Sequence, residues 1–215
     1  MIKRFQPLNC FTLAVVFALS LACSDSPDSQ PPSAAAQPPP PPAAKAPAEI
    51  WWTHLNALCG KAFSGRMTSE DPVDADFADQ QMVMHVRHCE PTRLAIPFHV
   101  GENRSRTWVL TRTDQGIQLQ HDHRHEDGSE DTVTLYGGRT EAPGTEIAQY
   151  FPADDYSKQL FEANELNASV VNVWSMEIVP GERFSYILRR PERHFQADFD
   201  LAQEVEPPPP AWGHE

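Results

Sequence analysis

The chain has 215 residues, with 30 acidic against 17 basic side chains and a formal charge of −13. That imbalance argues against a nucleic-acid partner and against adsorption to anionic lipid through a basic surface. Only four cysteines are present, while 21 prolines concentrate towards the two ends.

In chain order, the first element is an export signal. Lys3 and Arg4 precede an apolar run from Phe11 to Ala22, 12 residues that fall short of the ~20 needed to span a bilayer. Leu19-Ser20-Leu21-Ala22-Cys23 resembles a bacterial lipobox, which implies cleavage after residue 22 and lipidation of Cys23. The anchor would then be acyl chains, which hold by burying methylenes at ~0.8 kcal/mol each. The resemblance implies a tie to the bacterial cell envelope. Ser24 in place of an aspartate after the lipidated cysteine is compatible with the outer membrane.

Residues 23–48 form the next unit. From Ser24 to Ala48 the chain holds nine prolines and seven alanines with almost nothing to bury. This composition predicts an extended spacer of polyproline character at ~3.1 Å per residue. Residues 206–215, rich in proline, read as a matching disordered tail. The interval 49–205 carries aromatic and aliphatic residues throughout and has the length of one domain.

With Cys10 in the signal and Cys23 lipidated, Cys59 and Cys89 remain. In an exported protein such a pair predicts a disulfide. By loop-closure entropy it contributes roughly 3 kcal/mol.

The domain opens with a short helix, since Trp51, Leu55 and Leu58 recur on one helical face and Gly60 suits its end. After a strand near 62–68, residues then alternate with a period of two. Met82, Met84 and Val86 share a face, as do Leu94, Ile96, Phe98 and Val100, with Pro97 marking an edge or bulge. Trp108 and Leu110, Ile117 and Leu119, and Val133 and Leu135 continue the pattern. Trp174 to Ile178, Phe184 to Leu188 and Phe195 to Leu201 complete about nine strands separated by turns at hairpin spacing. Short strands of this kind predict a mainly β domain, an antiparallel up-and-down β-barrel or strongly curled sheet, because closure removes exposed edges. Residues 139–170 interrupt it with one inserted helix beginning at Asp154-Asp155-Tyr156, with Leu160, Phe161 and Leu166 facing inward.

Trp51-Trp52 through Ala62-Phe63-Ser64-Gly65-Arg66 resembles the opening of a lipocalin-type barrel, although no Gly-x-Trp stands there. Several blocks together resemble a family of uncharacterised bacterial secreted proteins and lipoproteins. They are Asp122 to Gly128, Tyr136-Gly137-Gly138, Phe151 to Asp154, and Phe184 to Phe195. The resemblance implies a lipocalin-like barrel and no particular reaction.

The sharpest local feature is Ile117 to His125. On a strand, Ile117, Leu119, His121, His123 and His125 share one face, so the histidines should point inward or lie over the barrel mouth. Two histidines at i and i+2 can reach one zinc or copper ion, with His125 as a third ligand. The other reading is the polar end of a hairpin. A three-residue loop from Glu126 to Gly128 would pair Leu119 with Leu135 and His121 with Val133, and set His123 opposite Asp131.

Other charged groups read as surface. Glu70, Asp71, Asp74, Asp76 and Asp79 lack calcium-loop spacing and read as a solvated loop. Arg189, Arg190, Arg193 and His194 either answer those acids or meet an anion. No nucleophile elbow, phosphate-binding glycine loop or zinc-protease helix occurs. The sequence thus points to a non-enzymatic, lipid-anchored barrel. It would bind a small apolar ligand in a cavity of Trp108, Leu119, Trp174, Met176, Phe184 and Tyr186, or a protein partner. The alternative is a metal-binding protein or metal-dependent enzyme built on His121 and His123.

Overall fold

The computed structural model describes residues 45–214. The expected signal peptide, Cys23 and the spacer up to residue 44 lie outside the described residues.

Eleven strands form one antiparallel sheet. Helix α1 (Pro47–Asn56) comes first, then β1 (Ala62–Met67), a 3-10 turn at Pro72–Asp74 and the single turn α2 (Ala75–Ala78). Five strands follow: β2 (Met82–His85), β3 (His88–Cys89), β4 (Arg93–Val100), β5 (Asn103–Thr113) and β6 (Gly116–His123). After β7 (Tyr136–Arg139) and β8 (Ala148–Pro152) comes α3 (Asp155–Ala163), and β9 (Val173–Val179), β10 (Arg183–Arg190) and β11 (Arg193–Val205) close the chain. The mainly β, antiparallel expectation holds. The helix begins at Pro47, two residues inside the segment read as spacer.

The order is β7-β6-β5-β4-β2-β1-β11-β10-β9-β8, with β3 continuing the line of β2 along β4. The first and last strands pair with each other, from Ala62 opposite Val205 to Met67 opposite Ala197. The two ends of the sheet are therefore β7 and β8, which follow one another in the chain. They nearly close the barrel through a bridge of Gly138 with Ala153 and a hydrogen bond from Asp154 N to Gly137 O (3.0 Å). Glycine makes that approach possible. A Cβ on Gly137 would strike the carbonyl of Leu119, and one on Gly138 the carbonyl of Pro152. Ser157 of α3 clamps the seam, its hydroxyl donating to Gly137 O and accepting from Gly137 N.

Alternation fills the interior. Leu94, Ile96, Trp108, Leu110, Leu119, Trp174, Met176, Phe184, Ala197 and Phe199 are all buried. Helix α1 seals one mouth, with Trp51, Trp52 and Leu55 buried. Trp51 Nε1 donates to Met176 O (3.2 Å), and its ring meets Phe151 edge-on. The Cys59–Cys89 disulfide is formed, with Cα atoms 6.2 Å apart, and ties the chain after α1 to β3. In the inserted helix Phe161 is buried as expected, but Leu166 lies past the last turn and is 41% exposed. Pro97 stands opposite the break between β2 and β3, where the register gains one residue and no amide donor is required.

Two expectations need correction. The Glu126–Gly128 loop forms, with His125 N donating to Ser129 O and Asp131 N to His123 O. Beyond Asp131 a bulge intervenes, in which Leu135 takes a left-handed φ of 58°. His121 therefore pairs with Tyr136 and Leu119 with Gly138, in place of Val133 and Leu135. Residues 206–214 are seated on the barrel and do not form a disordered tail. Ala211 is buried, Trp212 N donates to Arg104 O (3.1 Å), and Arg104 donates to Pro210 O (3.2 Å). His214 Nε2 reaches Asp122 at 2.9 Å.

Candidate functional site

The mouth opposite α1 is where the interior stays open. Six strands converge there, β4 to β7 without a gap and β10 with β11, and the segment holding the 3-10 turn and α2 folds across them. The cavity they leave is about 190 Å³. Its walls are mainly aromatic: Phe98 of β4, Trp108 of β5, Tyr136 of β7, Tyr186 of β10, and Phe77 from α2 packing edge-on against Phe195 of β11. Phe98 and Trp108 stack with centroids 4.7 Å apart, and Trp108 and Tyr186 at 4.6 Å, so three rings form one wall. A larger groove of about 520 Å³ runs outside the barrel over β1, but it is open and lined by Arg66, Glu182, Arg183 and Asp200.

Of the residues expected to line a cavity, Trp108 and Tyr186 do so. Leu119, Trp174, Met176 and Phe184 instead pack in the filled interior below it. The filling is a consequence of ring size: tryptophans, phenylalanines and methionines of facing strands meet across the barrel and occupy the space.

His121 and His123 both reach this mouth, as their strand phase requires. His121 is 3% exposed and its ring stacks on Tyr136 with centroids 4.7 Å apart. Its Nδ1 lies 3.0 Å from Tyr136 O, and its Nε2 lies 2.8 Å from the Tyr186 hydroxyl. A carbonyl only accepts, so Nδ1 carries the proton and the Tyr186 hydroxyl donates to Nε2. Burial holds the His121 pKa down to about 3, with the neighbouring His123 adding to the effect. His123 Nε2 pairs with the Tyr136 hydroxyl at 3.0 Å, and burial, then the Arg106 charge, lowers its pKa to about 4. Both imidazoles are neutral at pH 7. Burial also raises Tyr136 to about 12 and Tyr186 well above the ordinary phenol value.

Imidazoles with pKa values this low are weak general bases at neutral pH. His125 is exposed at the hairpin loop, away from the other two. Among the described residues no group of three His, Cys, Asp or Glu is placed to hold a metal. Both nitrogens of His121 are already engaged, so the zinc or copper set of His121, His123 and His125 is not assembled.

Two groups escaped the sequence reading. Arg106 sits on the inward phase of β5, opposite Phe98 on one side and His123 on the other. It lines the cavity, and its guanidinium lies 5.6 Å from the Phe77 ring centre. The second is Asp74, taken with its neighbours for a solvated loop but only 4% exposed. Arg193 grips Asp74 through both guanidinium nitrogens, Nη2 to Oδ1 at 2.7 Å, and reaches Asp71 at 3.0 Å. That pairing pins the covering segment to β11. The signal was available in part: Arg104, Arg106, Trp108 and Leu110 alternate in phase, which puts Arg106 on the core side.

Comparison with models of known protein families, with curated proteins and with solved structures finds no match.

Proposed function

We propose that this is an exported, lipid-anchored protein of the bacterial envelope whose barrel mouth binds a small, largely apolar molecule. The observation that carries the reading is the aromatic cavity of about 190 Å³ at the mouth of a nearly closed barrel opposite α1. Ligand sites favour such barrel mouths, where apolar walls carry a few placed polar groups. Here those groups are the Tyr136 and Tyr186 hydroxyls, two neutral imidazoles and Arg106. The anchor rests on Lys3, Arg4, the apolar run and Cys23; the Pro/Ala-rich spacer would hold the barrel off the lipid surface.

Native mass spectrometry of the full-length protein extracted from membranes tests the reading. The expected result is a non-covalent adduct that disappears on denaturation, together with an acyl mass increment abolished by Cys23→Ser. A bare mass in every preparation, with no uptake of a neutral aromatic probe such as indole, would refute ligand binding. An unmodified Cys23 would refute the anchor.

A further inference from the structure

The cavity has a polar end, and its chemistry is specific enough to name a ligand class. Resting on the cavity reading above, we propose that the mouth takes a small aromatic monocarboxylate, its carboxylate paired with Arg106 and its ring against the Phe98–Trp108–Tyr186 wall.

Arg106 is half-buried, and among the described residues its side chain donates to one acceptor, Asn103 Oδ1, 3.0 Å from Nη1. Among the described residues no carboxylate lies within 4.0 Å of it. Asp74, the carboxylate that lines the same cavity, has both oxygens on Arg193, and Asp71 shares that partner. The Asp131 charge acts on His123 and Tyr136, and its Oδ1 accepts from Val133 N. A guanidinium cannot shed its proton to relieve burial, so an unpaired one in an aromatic cavity is a standing penalty. A carboxylate removes it and matches the guanidinium fork with two parallel hydrogen bonds.

A cavity of ~150 Å³ is known to admit benzene, and this one, at about 190 Å³, adds room for one short polar group. It is smaller than the ~300–1,000 Å³ of drug-sized sites, which favours one compact ring over a long acyl chain or a fused polycycle. Flat aromatic walls favour a ring over a branched aliphatic of equal volume. A single unpaired guanidinium suits a monoanion better than a phosphate. His123, neutral at pH 7 and with Nε2 on the Tyr136 hydroxyl, lines the cavity without a competing charge.

The experiment titrates full-length protein with benzoate and with benzamide, its neutral isostere, by calorimetry at pH 7.4. Benzoate is expected to bind at least tenfold more tightly than benzamide. Arg106→Met should erase that margin while leaving the thermal midpoint unchanged or higher, because a half-buried charge without a carboxylate partner is gone. Equal binding of the two probes would overturn the carboxylate assignment and leave the cavity reading standing. Binding of neither would overturn both. Undiminished benzoate affinity in Arg106→Met would also overturn the assignment. If that variant folds poorly, the benzoate-to-benzamide ratio of the unaltered protein decides alone.

Discussion

Acidification is the perturbation whose effect follows most directly from the geometry. His121 and His99 are 3% and 4% exposed, and burial holds their pKa values down to about 3 and about 4. His123, half-buried beside Arg106, is also held to about 4. In the unfolded chain each returns to ~6.5. Above that pH neither state binds a proton, and stability is at its full value. Below it the unfolded state takes up protons that the native state refuses, so stability falls from about pH 6.5 down to the native values of about 3–4. At pH 5 each site has removed about 2 kcal/mol, roughly 6 kcal/mol together, comparable to the whole stability of a small domain. Asp71, Asp122 and Asp127 are held below their ordinary value, so they enter only at lower pH. Urea unfolding followed by tryptophan fluorescence between pH 8 and 5 measures the effect. The expected curve is flat above about pH 7 and steep below 6.5, and His99→Gln should reduce the slope by close to one proton. An unfolding free energy that changes by less than about 1 kcal/mol between pH 7.5 and 5 would refute the reasoning.

Three further outcomes follow from single contacts. Gly138→Ala drives a Cβ into the Pro152 carbonyl at the β7–β8 seam; neither backbone can yield, and a loss of about 3 kcal/mol or more is expected in thermal unfolding. The double variant Cys59→Ala/Cys89→Ala releases the cross-link between the α1 turn and β3, which should lower stability by roughly 3 kcal/mol in urea. Asp74→Ala removes the bidentate grip of Arg193 while Asp71 remains. The local loss should be about 1–3 kcal/mol, seen by hydrogen exchange as lost protection around residues 72–80 with β4–β6 unchanged.

Strand phase was legible in the sequence because side-chain alternation and burial are the same fact in a closed sheet. It placed Trp108, Leu119, His121, Trp174 and Phe184 on the inner face, where they are. It could not say whether that face encloses space, since filling depends on which rings meet across the barrel. The bulge after Asp131 was invisible for a related reason. Leucine rarely adopts a positive φ, so nothing at Leu135 announced the shift that sets Tyr136 opposite His121 in place of Val133. Proline content suggested disorder for 206–214, yet Ala211 is buried and the Trp212 amide is bonded to β5. The hidden pairing of Asp74 with Arg193 joins residues 119 positions apart, a distance over which composition carries no signal.

The central claim is that the barrel mouth is a site shaped for a small ring-bearing ligand. A crystal of the full-length protein soaked with 4-bromobenzoate tests it most directly, because bromine announces its own position by anomalous scattering. The account predicts a single strong peak inside the mouth, among Phe98, Trp108 and Tyr136, with the carboxylate turned to Arg106. Bromine found only on the outer surface, or a mouth closed by Arg106 and Tyr136 folding inward, would contradict it.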